Sequence, residues 1–413
     1  DVFCTEAKDS IKEIQRTGGA DVAVEDVLAG ADDPSESMDA ETIADLEAKH
    51  STWKTAFESD TENYRYKTDA GFLVFKTAPI AMEQMNKAYR KFFHYKEDGD
   101  PTPKISVLIY KDREEYLEKN GLPENDWTGG FFNGSSVQTF VGGKTGKETI
   151  LGMYGTLFHE AAHQFVSLTG KGGVPGWLNE AYASFFEGTT ILSNGSVKWN
   201  QVASHRLFPL ASRMKNGWME KGRDASPDQE GNWTAPDEAP TFRIIVENDY
   251  QWGPPWYAPT WGVVYFLYNY RNPETGETIY RKSLHDYYLS GAAGRADPVQ
   301  HFEEVVLNNS PLSPVQDIKA LNKIWKEWIL QLQDIQMGKK PSGKSNIEYG
   351  ELALERENTQ LALEFFEEAY LHESENPEVI WKLASLLEDL KKLDRALALY
   401  LEFARECELR GIT

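Results

Sequence analysis

The sequence predicts an α+β protein: a small mixed sheet, a mainly helical half behind it, and a closing block of α-helical repeats. Three observations carry that class. Apolar runs of strand length, bounded by turn residues, crowd the stretch from about 60 to 141. Helical spacing dominates from 146 onward. In the last 68 residues, a small/aromatic pair recurs at an offset of 34.

The elements follow in chain order. Residues 1–52 form an acidic lead-in, with short helices expected near 5–16 and 38–50. Tyr64-Arg65-Tyr66 and Phe72-Leu73-Val74-Phe75 flank Thr68-Asp69-Ala70-Gly71, which reads as a hairpin turn. Ile80, Met85, Ala88, Tyr89 and Phe92 fall near helical spacing and place a helix over 79–94. Ile105–Tyr110 is a strongly apolar strand. Asn133-Gly134, between Phe131-Phe132 and Val137–Val141, is the signature of a tight hairpin. Residues 53–145 therefore supply the sheet, and 146–338 the helical part of a domain running from 53 to 338.

Beyond residue 221 a Pro-, Gly- and acid-rich stretch over 222–240 reads as a loop or lid. Helices are expected at about 241–248, 259–271, 278–290, 297–307 and 316–336. Met337–Ser345 has linker composition. In 346–413, Ala362-x-x-x-Phe366 returns as Ala396-x-x-x-Tyr400, with Asn376-Pro377 between. Small residues at those places let paired helices approach while the aromatics fill the groove between them. This pattern resembles tetratricopeptide repeats, which implies docking on the rest of the chain or on a protein partner.

The chemistry concentrates in His159-Glu160-Ala161-Ala162-His163, an H-E-x-x-H motif within a helical stretch. Imidazoles four residues apart on a helix lie on one face and can ligate a single zinc ion, Zn2+. Glu160, next to the first ligand, can take a proton from water activated there. Leu157, Phe158, Ala161, Ala162 and Phe165 make the helix apolar, and buried helices rarely keep His and Glu without a use for them. A catalytic zinc usually has a third protein ligand. Cysteine cannot supply it, because Cys4 and Cys407 stand at opposite ends of the chain. Glu180 can, if the glycine-dense turn over 170–176 folds a second helix back beside the first.

H-E-x-x-H followed by Trp177-Leu178-Asn179-Glu180-x-x-Ala183-Ser184-Phe185 resembles the gluzincin zinc metallopeptidases of the peptidase MA-like superfamily. The likeness is greatest to aminopeptidase N-type catalytic domains and related bacterial domains of uncharacterised function. It implies a thermolysin-like fold in which His159, His163 and Glu180 hold zinc and Glu160 is the general base. Two departures stand out. The 16 residues between His163 and Glu180 are fewer than in the aminopeptidases, and Ala181 stands where glycine is usual. No counterpart of their amine-binding G-x-M-E-N segment is found, so aminopeptidase action is not implied. Tyr257, before the apolar run 258–267, matches the family's tyrosine that donates a hydrogen bond to the tetrahedral intermediate. The resemblance also makes the hairpin 131–141 a cleft wall whose edge pairs with extended peptide, although a purely structural hairpin reads equally well.

The expected function is therefore zinc-dependent hydrolysis of peptide bonds in a peptide or protein substrate. Two rivals stand beside it: a non-catalytic zinc-fold scaffold working through its helical repeats, and a zinc hydrolase of a non-peptide amide or ester. A net charge of −22 argues against nucleic acid and anionic membrane surfaces as partners. Residues 1–50 alone hold 14 acidic and 4 basic side chains, contributing −10. No apolar run is long enough for a membrane span. The chain opens on Asp1, which with the family resemblance favours an extracytoplasmic setting. The remaining histidines (His50, His94, His205, His285, His301 and His372) lack ligand spacing and carry no expected role.

Overall fold

The computed structural model describes residues 39–411 apart from 96–101, 127, 143–145, 172, 192–196, 216–225, 228–232, 235–240, 249 and 251. The expected helix at 5–16, most of the acidic lead-in and most of the 222–240 loop lie outside the described residues. Within that loop, 226–227 and 233–234 pair as a two-stranded ladder. The chain divides into two compact units, 45–341 and 342–413, the second grouped with the described residues 39–44. Among the described residues, no helix is long and apolar enough to cross a membrane.

The structure is mixed α+β. Helix α1 (Ala40–Lys49) starts where Asp39 accepts the Thr42 N–H at 2.7 Å. A five-stranded sheet follows, built from β1 (Phe57–Asp60), β2 (Tyr64–Thr68), β3 (Ile105–Tyr110), β4 (Gly130–Phe132) and β5 (Ser136–Phe140). Its order is β1-β2-β3-β5-β4, with β2–β3 and β3–β5 parallel and both outer pairs antiparallel. The Asn133-Gly134 hairpin forms as expected, and β4 is an edge strand.

The expected hairpin partner of β2 is corrected. Phe72–Phe75 is not a strand; it opens one long helix, α2 (Phe72–Phe92), which absorbs the helix expected at 79–94. The apolar tetrad satisfies either period, but Val74, Ala78, Ala81, Met82 and Met85 continue it on one buried helical face. Phe75 stacks on Phe57 at 4.7 Å, and Glu47 accepts the Phe72 N–H, giving the start of the helix tertiary partners. The hairpin that does form lies on the other side of β2, with Phe57 opposite Thr68. Short helix α3 (Arg113–Asn120), capped by Asp112, packs on β3 and β5.

Helix α4 (Gly146–Thr169) runs under β4 and β5, and residues 170–175 return the chain into α5 (Gly176–Phe185) beside it. Tyr89 of α2 donates to the Phe158 carbonyl of α4 at 2.6 Å. Phe92 sits among the rings of Tyr182, Phe185 and Phe186, so α2 clamps α5 from behind. A ladder of β6 (Thr190–Ile191) and β7 (Val197–Lys198) leads to α6 (Ser204–Lys215), a helix not among those expected, although Leu207, Leu210, Ala211 and Met214 keep helical spacing. After β8 (226–227) and β9 (233–234) come α7 (Thr241–Glu247), the almost wholly buried α8 (Tyr257–Asn269) and α9 (Arg281–Leu289). They are followed by α10 (Pro298–Phe302), continued by a wider-wound turn to Asn308, and by α11 (Ile318–Gln336).

In the other unit, α12 (Asn346–Glu355), α13 (Thr359–His372), α14 (Pro377–Asp389) and α15 (Leu393–Leu409) pack each against the next. Ser345 and Glu348 form a reciprocal cap at the start of α12. Ala362, Ala384 and Ala396 are fully buried at the helix contacts. Gly350 permits this close approach: a Cβ there would lie 2.3 Å from the Phe366 ring, which would have to shift. Small residues meeting aromatics close this core.

Candidate metal centre

His159 and His163 project from one face of α4, their ring centroids 5.0 Å apart. Glu180, one turn into α5, faces them: its Oε2 lies 3.4 Å from His159 Nε2 and 4.0 Å from His163 Nε2. Ligands about 2.0–2.2 Å from a tetrahedral zinc would stand roughly 3.4 Å apart, so the spacing suits one ion. Glu180 Oε2 is buried without a hydrogen-bond partner, since 3.4 Å is long for a bond to His159. An unpartnered buried carboxylate oxygen aimed between two imidazole nitrogens is the donor set a divalent ion requires. Among the described residues, this is the group of His, Cys, Asp and Glu side chains that could hold a metal ion.

The outer nitrogens are already occupied. His163 Nδ1 meets Asn179 Oδ1 at 2.9 Å, and His159 Nδ1 meets Glu187 Oε1 at 2.8 Å. Each acceptor places the ring proton on Nδ1 and leaves the Nε2 lone pair facing inward. Glu187 lies in a tight turn (Phe186–Gly188) that continues α5. Its carboxylate also accepts from Arg206 Nε and Nη2, at 2.7 and 2.8 Å, and meets His205 Nε2 at 2.8 Å. Gly188 makes that meeting possible, because a Cβ there would fall 2.4 Å from the Gln201 carbonyl oxygen. The chain passing so closely sets the first turn of α6 beside Glu187.

The electrostatics follow from these contacts. Burial alone would raise Glu187, but His159, His205 and Arg206 outweigh it and hold its carboxyl well below the usual range. Burial pulls His159 down, yet Glu180 and Glu187 outweigh that and lift it to about 10. An ion at Nε2 would replace that proton. His163 is pushed down by burial and by His159. Glu180, raised by burial, is brought below its ordinary value by both histidines and by Tyr257.

Glu160 is buried beside the ligands, and burial lifts its carboxyl to about 7 against the opposing pull of His159. The nearby Phe132 N–H acts in the same direction as His159, lowering it. Asn133 N–H bonds across to Ser136, so strand alternation turns the backbone groups of Phe132 and Gly130 to the open edge of β4. The sheet edge thus runs past Glu160. Tyr257 opens α8 with its ring 5.8 Å from that of His159, and the Arg206 guanidinium lies over the Tyr257 ring at 4.8 Å. These groups border a cavity of about 610 Å³, whose wall includes His159, Glu160, Tyr257 and Arg206.

Residues 153–285 match a family described as a protein of unknown function (DUF1570). The matched stretch is under half of the chain and contains every residue of the metal group, together with Glu160, Glu187, Arg206 and Tyr257. No curated protein and no solved structure matches.

The fold therefore brings together all five residues singled out in the sequence. Spacing alone missed Asn179, Glu187, His205 and Arg206. One signal existed for Glu187: it stands seven residues after Glu180, two turns along the same helical face. His205 lacks ligand spacing but lines the cavity and contacts Glu187.

Proposed function

We propose that this chain is a zinc-dependent peptidase of the gluzincin type, its ion held by His159, His163 and Glu180. The observation that carries the reading is the convergence of two Nε2 atoms and the unpartnered Glu180 oxygen, with a second carboxylate, Glu160, left over beside them. When bound, zinc would acidify water and polarise a carbonyl oxygen at this position.

Glu160 takes the proton of the attacking water and passes it to the leaving nitrogen. A buried carboxylate beside the candidate ligands is placed for both halves of that task. Tyr257 offers a phenol O–H beside the ligands, where a hydrogen bond to the developing oxyanion is available. Glu187 and Asn179 hold the two imidazoles in one tautomer and orientation. The open edge of β4 supports a peptide rather than a small amide or ester as substrate. Its backbone groups can pair with an extended chain whatever the side chains.

The test is metal analysis of the purified protein with and without chelator, combined with cleavage of an unbiased peptide library. Stoichiometric zinc with chelator-sensitive cleavage supports the reading. Stoichiometric zinc with hydrolysis only of non-peptide amides or esters replaces the substrate class. No bound zinc after reconstitution rejects the reading.

A further inference from the structure

Arg206 occupies a position that neither the H-E-x-x-H motif nor the third ligand accounts for. Its guanidinium grips the Glu187 carboxylate through two N–H groups, at 2.7 and 2.8 Å, and Glu187 in turn holds His159 Nδ1 at 2.8 Å. The same guanidinium lies 4.8 Å over the Tyr257 ring, and Tyr257 stands beside Glu180, whose carboxyl it helps hold below its ordinary value. One planar cation therefore stands behind two of the three metal-holding side chains, which come from different helices. Trp252 also meets the Tyr257 ring, edge to face at 5.0 Å, so the ring has a second aromatic neighbour besides the guanidinium.

We propose that Arg206 is a positioning residue that sets the geometry of both His159 and Glu180, through Glu187 on one side and Tyr257 on the other. This rests on the metal reading above and adds a residue whose influence is indirect. The chemistry favours arginine specifically. A forked planar donor can engage a carboxylate along one edge while its flat face lies on an aromatic ring; the point charge of lysine cannot do both. The geometry also couples the two routes, so loss of either carrier should remove part of what Arg206 contributes.

The experiment measures affinity for zinc alone, by competition with a chromophoric chelator. The proteins are the full chain and the variants Arg206→Ala, Arg206→Lys, Glu187→Gln and Tyr257→Phe, with each of the last two also combined with Arg206→Ala. Arg206→Ala should weaken zinc binding about 10- to 100-fold, the scale of lost outer support at metal sites. Arg206→Lys should recover only part of that loss. In each double variant the loss should fall at least threefold short of the product of the single effects. Circular dichroism and melting temperature identify any variant that fails to fold, and Arg206→Lys then stands in for Arg206→Ala in the cycles.

Zinc affinity within twofold of the unaltered chain in Arg206→Ala overturns the inference. So does an Arg206 effect that persists undiminished in both the Glu187→Gln and Tyr257→Phe backgrounds. Tight zinc binding by a chain that cleaves no peptide would reject the peptidase reading while leaving this test intact.

Discussion

Glu187 Oε1 lies 2.8 Å from Nδ1 of His159 while the other oxygen of the same carboxylate accepts from Arg206 at 2.7 Å. A candidate ligand imidazole and a half-buried cation thus share one acid. Glu187→Ala should strand both, costing about 3 kcal/mol of stability, the low end for a broken buried pair because Arg206 is partly exposed. Zinc affinity should fall about 10- to 100-fold. Thermal melting with and without zinc, and chelator competition, check the two effects separately.

Glu160→Gln keeps the size of the side chain and removes its ability to accept a proton. Zinc content should stay stoichiometric while hydrolysis of a cleaved library peptide drops by about 10²- to 10⁴-fold. Unchanged turnover in this variant would remove Glu160 from the chemistry.

His285 provides a pH dependence away from the metal. Its ring lies 4.3 Å from that of His94, and burial, with His94 and Lys282 assisting against Asp286, lowers its pKa to about 4. In the unfolded chain it titrates near 6.5. Between those values the unfolded state binds more protons, so stability is full above about 6.5 and is lost as the pH falls toward 4. His285→Phe should remove about 1–2 kcal/mol of that acid sensitivity, allowing for partial exposure. Denaturant midpoints at pH 7 and pH 5, compared with the unaltered chain, provide the measurement.

Gly350→Leu should damage the helical unit at 342–413 and spare the metal group. Its Cβ would fall 2.3 Å from the Phe366 ring, so α12 and α13 must part, at about 1–3 kcal/mol or more. Proteolysis should quicken within 346–413 while zinc affinity stays constant. A fall in zinc affinity of comparable size would contradict this separation.

What the sequence made legible was whatever depends on spacing within one element. The His159–His163 pair is a property of helical pitch, and the Asn133-Gly134 turn is a property of local backbone preference. Glu180 could be read because only a short turn separates its helix from α4. Arg206 and His205 could not be read, because they reach the site through the close passage of 201–203 against Gly188, a packing relation with no local signature. Phe72–Phe75 was misread for the complementary reason. Four apolar residues fit a strand or a buried helix equally, and the burial of Val74 to Met85 and the contact with Glu47 decide between them.

The connection between α4 and α5 is only residues 170–175, and both helices are pinned from behind by α2. With so short a tether and so firm a backing, the two ligand-bearing faces cannot swing apart without melting part of the core. A latent form of this protein would therefore not be made by disassembling its ligand set. Under the proposed function, control would act at the entrance, by deciding what reaches the candidate metal group.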